Sequence, residues 1–244
     1  MVSFSIKIAG KVAAVHAFFE SSKEHCKAYL VSQMPDFAVT ITQDDLIVER
    51  EKAARTDIAE GKLVRDVTDA QLEITAIQRK IAQELVDYDT VLFHGSVVAV
   101  DGCAYLFTAK SGTGKSTHTR LWCQLFGDRA VMVNDDKPFL TIREDGILAS
   151  GSPWSGKHGL DTNITVPLQG ICILERGEKD CIRPLNPEDA MDFLLWQSYC
   201  PLDPQKESRR LALVQSLAQS VPLWQMQCTK EITAAEIAYE AMCP

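Results

Sequence analysis

No two of the eight cysteines form a CxxC pair, and none stands with histidine at the spacing of a zinc site. This excludes the common structural zinc modules, and thiols scattered in this way read as reduced, so the expected location is cytoplasmic. Aromatic residues are sparse at 7%, and 13 glycines and 10 prolines in 244 residues are too few for a collagen-like or low-complexity chain. No apolar run approaches the roughly 18 residues of a membrane span. The patch from Val12 to Phe19 is interrupted by His16, and no small-residue cleavage site follows it. Basic residues are in deficit, 25 against 33 acidic, for a net charge of −8. A surface of that sign repels polyanions, so neither nucleic acid nor a membrane is an expected partner. What remains is ordinary globular material, 46% hydrophobic, in a chain long enough to be stable without metal or disulfide staples.

Residues 3 to 8 alternate polar and apolar and end before Gly10, which predicts a short strand. The near-helical spacing of Phe18, Phe19, His25, Cys26 and Tyr29 predicts a helix, and Pro35 then breaks the chain ahead of a strand over residues 37 to 41. Residues 43 to 59 are charged and read as a strand followed by a helix. Thr68 is a candidate N-cap, and Ile74, Ile77, Ile81 and Leu85 place one apolar stripe on the helix after it. Two β-rich runs, Val91 to Val100 and Cys103 to Thr108, flank Asp101-Gly102 and predict a hairpin. Further strands are expected near residues 130 to 133, 139 to 142, 170 to 174 and 223 to 227. Helices are expected over 117 to 126, 187 to 199, 206 to 219 and 234 to 242.

The second hairpin strand runs into Ala109-Lys-Ser-Gly-Thr-Gly-Lys-Ser116, a phosphate-binding loop with alanine in place of its first glycine. Gly112 and Gly114 permit the backbone turns that aim successive N–H groups at one anion, and the following helix adds its positive end. Lys115 can reach the outer phosphates and the Ser116 hydroxyl can ligate Mg²⁺. Downstream, the apolar strand before Asn134-Asp135-Asp136 ends in two acids, the arrangement that puts a carboxylate beside a nucleotide-bound metal. One acid can bind metal while the other accepts a proton from an attacking hydroxyl. The competing reading is a solvated Asp-Asp-Lys turn. His94, in the middle of a predicted strand, is by default a core residue, but the hairpin sets it beside the loop-bearing strand, where its imidazole can face the terminal phosphate or a second metal. Residues 151 to 159 combine Gly, Pro, Ser, Trp and Lys157, a composition that suits an anion-contacting loop and equally a plain surface turn. The turn Glu175-Arg176-Gly177 reads as solvated.

Three features in order, His94-Gly95-Ser96, Ser111-Gly-Thr-Gly-Lys-Ser-Thr117 and Asp135-Asp136, resemble the family that joins bacterial HPr kinase/phosphorylase to phosphoenolpyruvate carboxykinase. Leu174-Glu-Arg-Gly177 is similar in part to the Glu-x-Arg-Gly signature of HPr kinases. The resemblance covers about a third of the chain. It implies an α/β fold with a mixed-sheet P-loop core and flanking helices, residues 67 to 244, preceded by a small α+β lobe, residues 1 to 66. It further implies that Ser111, Gly112, Thr113, Gly114, Lys115, Ser116 and Thr117 bind ATP phosphates, that Ser116 and Asp136 hold Mg²⁺, that Asp135 is the base, and that His94 and Lys115 act at the γ-phosphate. Lys157 is a candidate substrate or phosphate contact. The implied activity is transfer of the γ-phosphate to a hydroxyl, serine-type, on a peptide or small molecule. The alternatives are a nucleotide-responsive binding module and a carboxykinase-like decarboxylation of an oxo acid. The expected partners are ATP and the hydroxyl acceptor, and a homo-oligomer is an allowed assembly.

Overall fold

The structure, a computed structural model, describes residues 1 to 243. It divides into two compact units, Met1–Glu84 and the chain from Leu85 onward.

In the first unit, β1 (Val2–Ile8) and β2 (Lys11–Ala17) form an antiparallel hairpin, and β3 (Phe37–Thr40) joins β2 in parallel. The hairpin turn is Ala9-Gly10, with φ of 50° and 79°, the left-handed geometry that matches strand twist. Strand β2 occupies most of the patch read from sequence only as apolar, and the predicted helix is reduced to α1 (Glu20–His25) and a 3₁₀ turn at Lys27–Tyr29. Residues 43 to 59 form a single helix, α2 (Gln43–Ala59), without the expected strand. Its start is fixed by a capping box in which Thr42 and Asp45 exchange hydrogen bonds.

Helix α3 (Asp69–Leu85) begins at Thr68 as expected, the threonine hydroxyl accepting from the Gln71 N–H at 3.4 Å. Its polar face ties the unit together. Glu73, fully buried, accepts from the Phe18 N–H at 2.5 Å, the Phe19 N–H at 3.0 Å and the Ser22 hydroxyl at 2.6 Å. Arg79, also buried, bonds Asp45 at 2.7 Å and Glu49, both on α2. The boundary expected after residue 66 therefore lies inside the first unit: α3 supplies the buried charges that satisfy polar groups of both preceding segments, and cutting ahead of it would leave them unpaired.

The second unit contains a nine-stranded mixed sheet. Strands β5 (Ser96–Val100) and β6 (Cys103–Thr108) form the predicted hairpin around Asp101-Gly102, with φ of 51° and 82°. Strand β7 (Ala130–Asn134) pairs with β5, and β10 (Thr165–Arg176) runs parallel to β6 on its other side. The early part of β10 pairs instead with β9 (Gly146–Ser150), which leads through β8 (Phe139–Arg143) to β4 (Thr90–Leu92). Beyond β10 lie β12 (Leu223–Cys228), parallel to it, and β11 (Cys181–Pro184). Strands β9 and β11 were not expected from sequence, and β10 is more than twice its expected length.

Successive residues of the central strands face opposite ways, and both faces are apolar. Val97, Ala99, Leu106, Ile171 and Ile173 pack with α5 (Pro187–Gln197) and α6 (Pro204–Ser220), while Val98, Val100, Tyr105, Phe107 and Cys172 pack with α4 (Lys115–Phe126) and α7 (Ile232–Met242). Trp122 of α4, fully buried, lies 4.8 Å from the Tyr105 ring and 5.6 Å from that of Tyr239 on α7. Truncating such a residue to alanine typically costs about 3–5 kcal/mol, so this contact fixes α4 on the sheet. No helix among the described residues is long and apolar enough to cross a membrane.

Candidate functional site

Strand direction gathers the candidate residues on one edge of the sheet. Strand β5 runs antiparallel to β6 and β7, so its start adjoins their ends: His94 lies just before β5, the glycine-bearing loop follows β6, and Asn134-Asp135-Asp136 closes β7. The parallel β10 ends at the same edge with Arg176.

The loop from Lys110 to Gly114 joins β6 to α4. Gly112 has φ of 77° and Gly114, the N-cap residue of α4, has φ of 120°, conformations costly for any residue with a Cβ. Gly114 has no side chain to cap the helix, so the amides of the first turn are left for an external acceptor. The Thr113 N–H and hydroxyl both bond the Lys110 carbonyl, at 3.2 and 2.8 Å, which closes the turn. Ser111 and Thr117 are exposed and Ser116 half-buried. Lys115 is buried, its Nζ 3.4 Å from the Ala109 carbonyl oxygen. Burial lowers its pKa most, and the Lys137 charge adds to this, against the opposing pull of Asp136 and Asp135.

The two acids sit in different surroundings. Asp135 is buried and accepts from the Ser96 hydroxyl at 2.9 Å, and Ser96 in turn lies 2.9 Å from the Thr119 hydroxyl of α4. Asp136 is a third exposed, with Oδ1 3.2 Å from His94 Nε2 and Oδ2 3.4 Å from Lys137 Nζ. The Asn134 side-chain oxygen accepts from the Asp136 and Lys137 amides at 2.8 and 2.6 Å, and its Nδ2 donates to the Ser152 carbonyl at 2.8 Å. These bonds fix the turn that follows the strand. Burial raises the Asp136 pKa, but the hydrogen bond from His94 and the Lys137 charge outweigh it and the carboxyl stays below its ordinary range.

His94 is not mid-strand. The chain breaks between β4 and β5 at His94-Gly95, where the His94 amide donates to the Gln197 carbonyl at 2.8 Å and the Gly95 amide to the Asp136 carbonyl at 3.1 Å. Gly95 is tightly held: a Cβ there would come within 3.2 Å of the Phe107 carbonyl oxygen. The bond to Asp136 raises the His94 pKa, but burial and the charges of Lys137 and Lys115 together lower it further, leaving the imidazole below its usual value. The nitrogen against the carboxylate, Nε2, is the one that carries a proton in this contact.

Lys157 lies on an exposed 3₁₀ turn, Gly156–His158, whose Gly156 packs against Asp136. The turn Glu175-Arg176-Gly177, read as solvated, has a role at the loop: the Arg176 guanidinium donates to the Gly112 carbonyl through Nη2 and to the Thr113 carbonyl at 3.4 Å through Nε. Its only sequence signal was the partial Glu-x-Arg-Gly likeness. Beside the loop opens a cleft of about 860 Å³, lined by Lys110 to Thr113, the end of β10, and Arg183, Leu185, Phe193 and Gln225. Among the described residues, no group of three or more His, Cys, Asp and Glu side chains converges as metal ligands. His118, one turn into α4, is not part of the site: burial pushes its pKa down to about 4, and its Nε2 accepts from the Trp122 indole at 3.2 Å.

These features define an α/β protein whose mixed sheet brings a glycine-bent loop, two aspartates, a histidine and an arginine to one edge. The chain belongs to the family described as SynChlorMet cassette protein ScmC, whose family model matches residues 63–231. No curated protein matches it. Among solved structures, the Hpr(Ser) kinase/phosphatase from Coxiella burnetii is a distant relation, with 12% sequence identity and a TM-score of 0.37 over 62% of this chain and 97% of that one.

Proposed function

We propose that this chain is an ATP-dependent kinase with a P-loop core that transfers the γ-phosphate to a hydroxyl, serine-type, on a small molecule or peptide. The observation that carries the reading is the joint placement, on one sheet edge, of the Lys110–Gly114 loop with its uncapped helix start and the Asp135-Asp136 pair. Amides at the start of α4 and Lys115 would hold the β- and γ-phosphates, where backbone dipoles and a buried ammonium act with little screening. Ser116, Asp136 and the phosphates offer the hard oxygens that Mg²⁺ prefers, and the ion when bound would neutralise phosphate charge. The acceptor oxygen forms its bond to the γ-phosphorus as the bond to the β,γ-bridging oxygen breaks. ADP leaves with that electron pair, and the acceptor proton passes to Asp135. Ser96 would fix the rotamer of Asp135, while His94, bonded to Asp136, would orient that carboxylate and stand near the terminal phosphate.

The test is γ-labelled ATP with free serine, serine-containing peptides and small alcohols, comparing wild type with Lys115→Ala. Label transfer by wild type and its loss in the variant is the expected result. A Lys115→Ala protein that converts ATP at the wild-type rate overturns the proposal.

A further inference from the structure

The carbonyl oxygen of Ala109, at the start of the loop, is a buried acceptor shared by two donors. Ala109 is fully buried, and among the described residues its oxygen accepts from Lys115 Nζ at 3.4 Å and from the Gln197 side-chain amide, Nε2, at 3.2 Å. The two donors are not equivalent. Lys115 is the group that a bound phosphate would draw away, whereas Gln197, the buried last residue of α5, is held from several directions. Its own carbonyl accepts from the His94 amide at 2.8 Å, Ser198 bridges Phe93, and the Tyr199 amide donates to the Leu92 carbonyl at 2.9 Å. From the other side the buried Arg210 of α6 donates to the Leu195 carbonyl at 3.1 Å and to the Ser198 hydroxyl. The end of α5 is thereby strapped to the chain around His94, and one residue meets His94 through its main chain and the loop through its side chain.

We infer that Gln197 is a positioning residue for anion binding at the loop: its amide keeps the Ala109 carbonyl bonded when the Lys115 ammonium leaves that oxygen for a terminal phosphate. This rests on the kinase reading above for the direction in which Lys115 moves. With the amide in place, the ammonium can transfer to a phosphate without orphaning a buried acceptor. Without it, Lys115 is the remaining donor to Ala109, and every anion bound would strip a buried oxygen of its last partner. Because that loss falls on the bound state alone, anion affinity should drop. A purely structural role makes a different prediction, since a glutamine that only shaped the loop would matter equally with or without an ammonium at residue 115.

The test is the Kd of inorganic pyrophosphate, measured by calorimetry on the full chain for wild type, Gln197→Met, Lys115→Met and the double variant. Methionine is unbranched like glutamine and lacks the donor. Gln197→Met should weaken pyrophosphate binding about tenfold, or about 1.4 kcal/mol, when Lys115 is present. In the Lys115→Met background the same change should cost less than about twofold, because no ammonium then leaves the carbonyl. Should Gln197→Met fail to fold, Gln197→Leu, branched and equally without a donor, makes the same comparison. An affinity within twofold of wild type in the donor-free variant, an equal loss in both backgrounds, or no saturable binding of pyrophosphate to wild type would overturn the inference. Failure of the kinase reading is seen separately, as pyrophosphate binding with these ratios but no transfer of label from ATP to any acceptor.

Discussion

Replacing Asp135 by asparagine separates the two jobs that adjacent carboxylates can do. The change preserves volume, and the asparagine Oδ1 can still accept from Ser96 Oγ, now at 2.9 Å from Asp135. The backbone bond from the residue 135 amide to the Leu160 carbonyl, 3.1 Å, is untouched. The net cost to stability should therefore stay within about 1 kcal/mol, the scale of one altered hydrogen bond. The cost to chemistry should be much larger. A positioned general base contributes roughly 10²–10⁴-fold, or about 3–5 kcal/mol of barrier. The assay is the single-turnover rate of ADP release from labelled MgATP, with water as acceptor where no better one is at hand, alongside the Kd of MgATP by calorimetry. Asp135→Asn should lower the rate by at least about a hundredfold with Kd changed less than about threefold. A rate loss matched by an equal loss of MgATP affinity would exchange the roles of Asp135 and Asp136, and a rate within tenfold of wild type would remove Asp135 from the reaction.

Three further outcomes follow from other parts of the fold. Burial raises the Asp45 pKa, but Lys80, Arg79 and Thr42 outweigh it and bring the value from 3.8 down to about 2. A depressed carboxyl pKa gives stability that is complete above the unfolded value and is lost as pH falls through the folded one, so urea midpoints should drop between pH 4 and about 2. Asp45→Asn should flatten that drop, and an unchanged acid profile would refute the linkage. Gly151→Ala should destabilise by more than about 3 kcal/mol, because its Cβ would fall 2.0 Å from the Thr162 carbonyl oxygen; a melting temperature within 2 °C of wild type, roughly 1 kcal/mol or less, would contradict the packing. Arg176→Ala, which frees the Gly112 and Thr113 carbonyls, should weaken MgATP binding about threefold to tenfold with little change in melting temperature. Equal affinity in both proteins would show that the arginine does not support the loop.

The elements legible in the sequence were those whose signal is local. The α3 stripe of Ile74, Ile77, Ile81 and Leu85, the Asp101-Gly102 turn and the helix after Lys115 each carry their own periodicity or punctuation, and each is found close to its expected place. Strand β2 failed this test because His16 and Lys11 interrupt its alternation; its order comes from pairing with β1 across the Ala9-Gly10 turn and with β3, which lies outside any local window. Helix α2 was misread as strand then helix because it is polar on nearly all sides, with Asp45, Glu49 and Asp57 buried. The Thr42-x-x-Asp45 capping box was present in the sequence and marks its start.

The candidate site divides along the same line. The loop and the acid pair are contiguous motifs and could be read directly, whereas the convergence of His94 with them depends on strand direction. An antiparallel β5 brings its first residues to the edge where β6 and β7 end; had β5 been parallel, His94 would lie a strand length away. Arg176 is the harder case. It follows the loop by more than 60 residues, and apart from the partial Glu-x-Arg-Gly likeness nothing in Glu175-Arg176-Gly177 distinguishes a solvated turn from a loop partner. What decides its place is the register of β10 on β6, Ile173 opposite Thr108, which carries the strand past the end of β6 and sets residue 176 beside the glycines. The register is imposed by the alternation of Ile171 and Ile173 toward α5 and α6 and Cys172 and Leu174 toward α4 and α7, since a slip of one residue would exchange the two faces. Core packing on β10 thus fixes the contact between an arginine and the loop, which is why a contact that the loop motif does not show becomes determinate once the sheet is assembled.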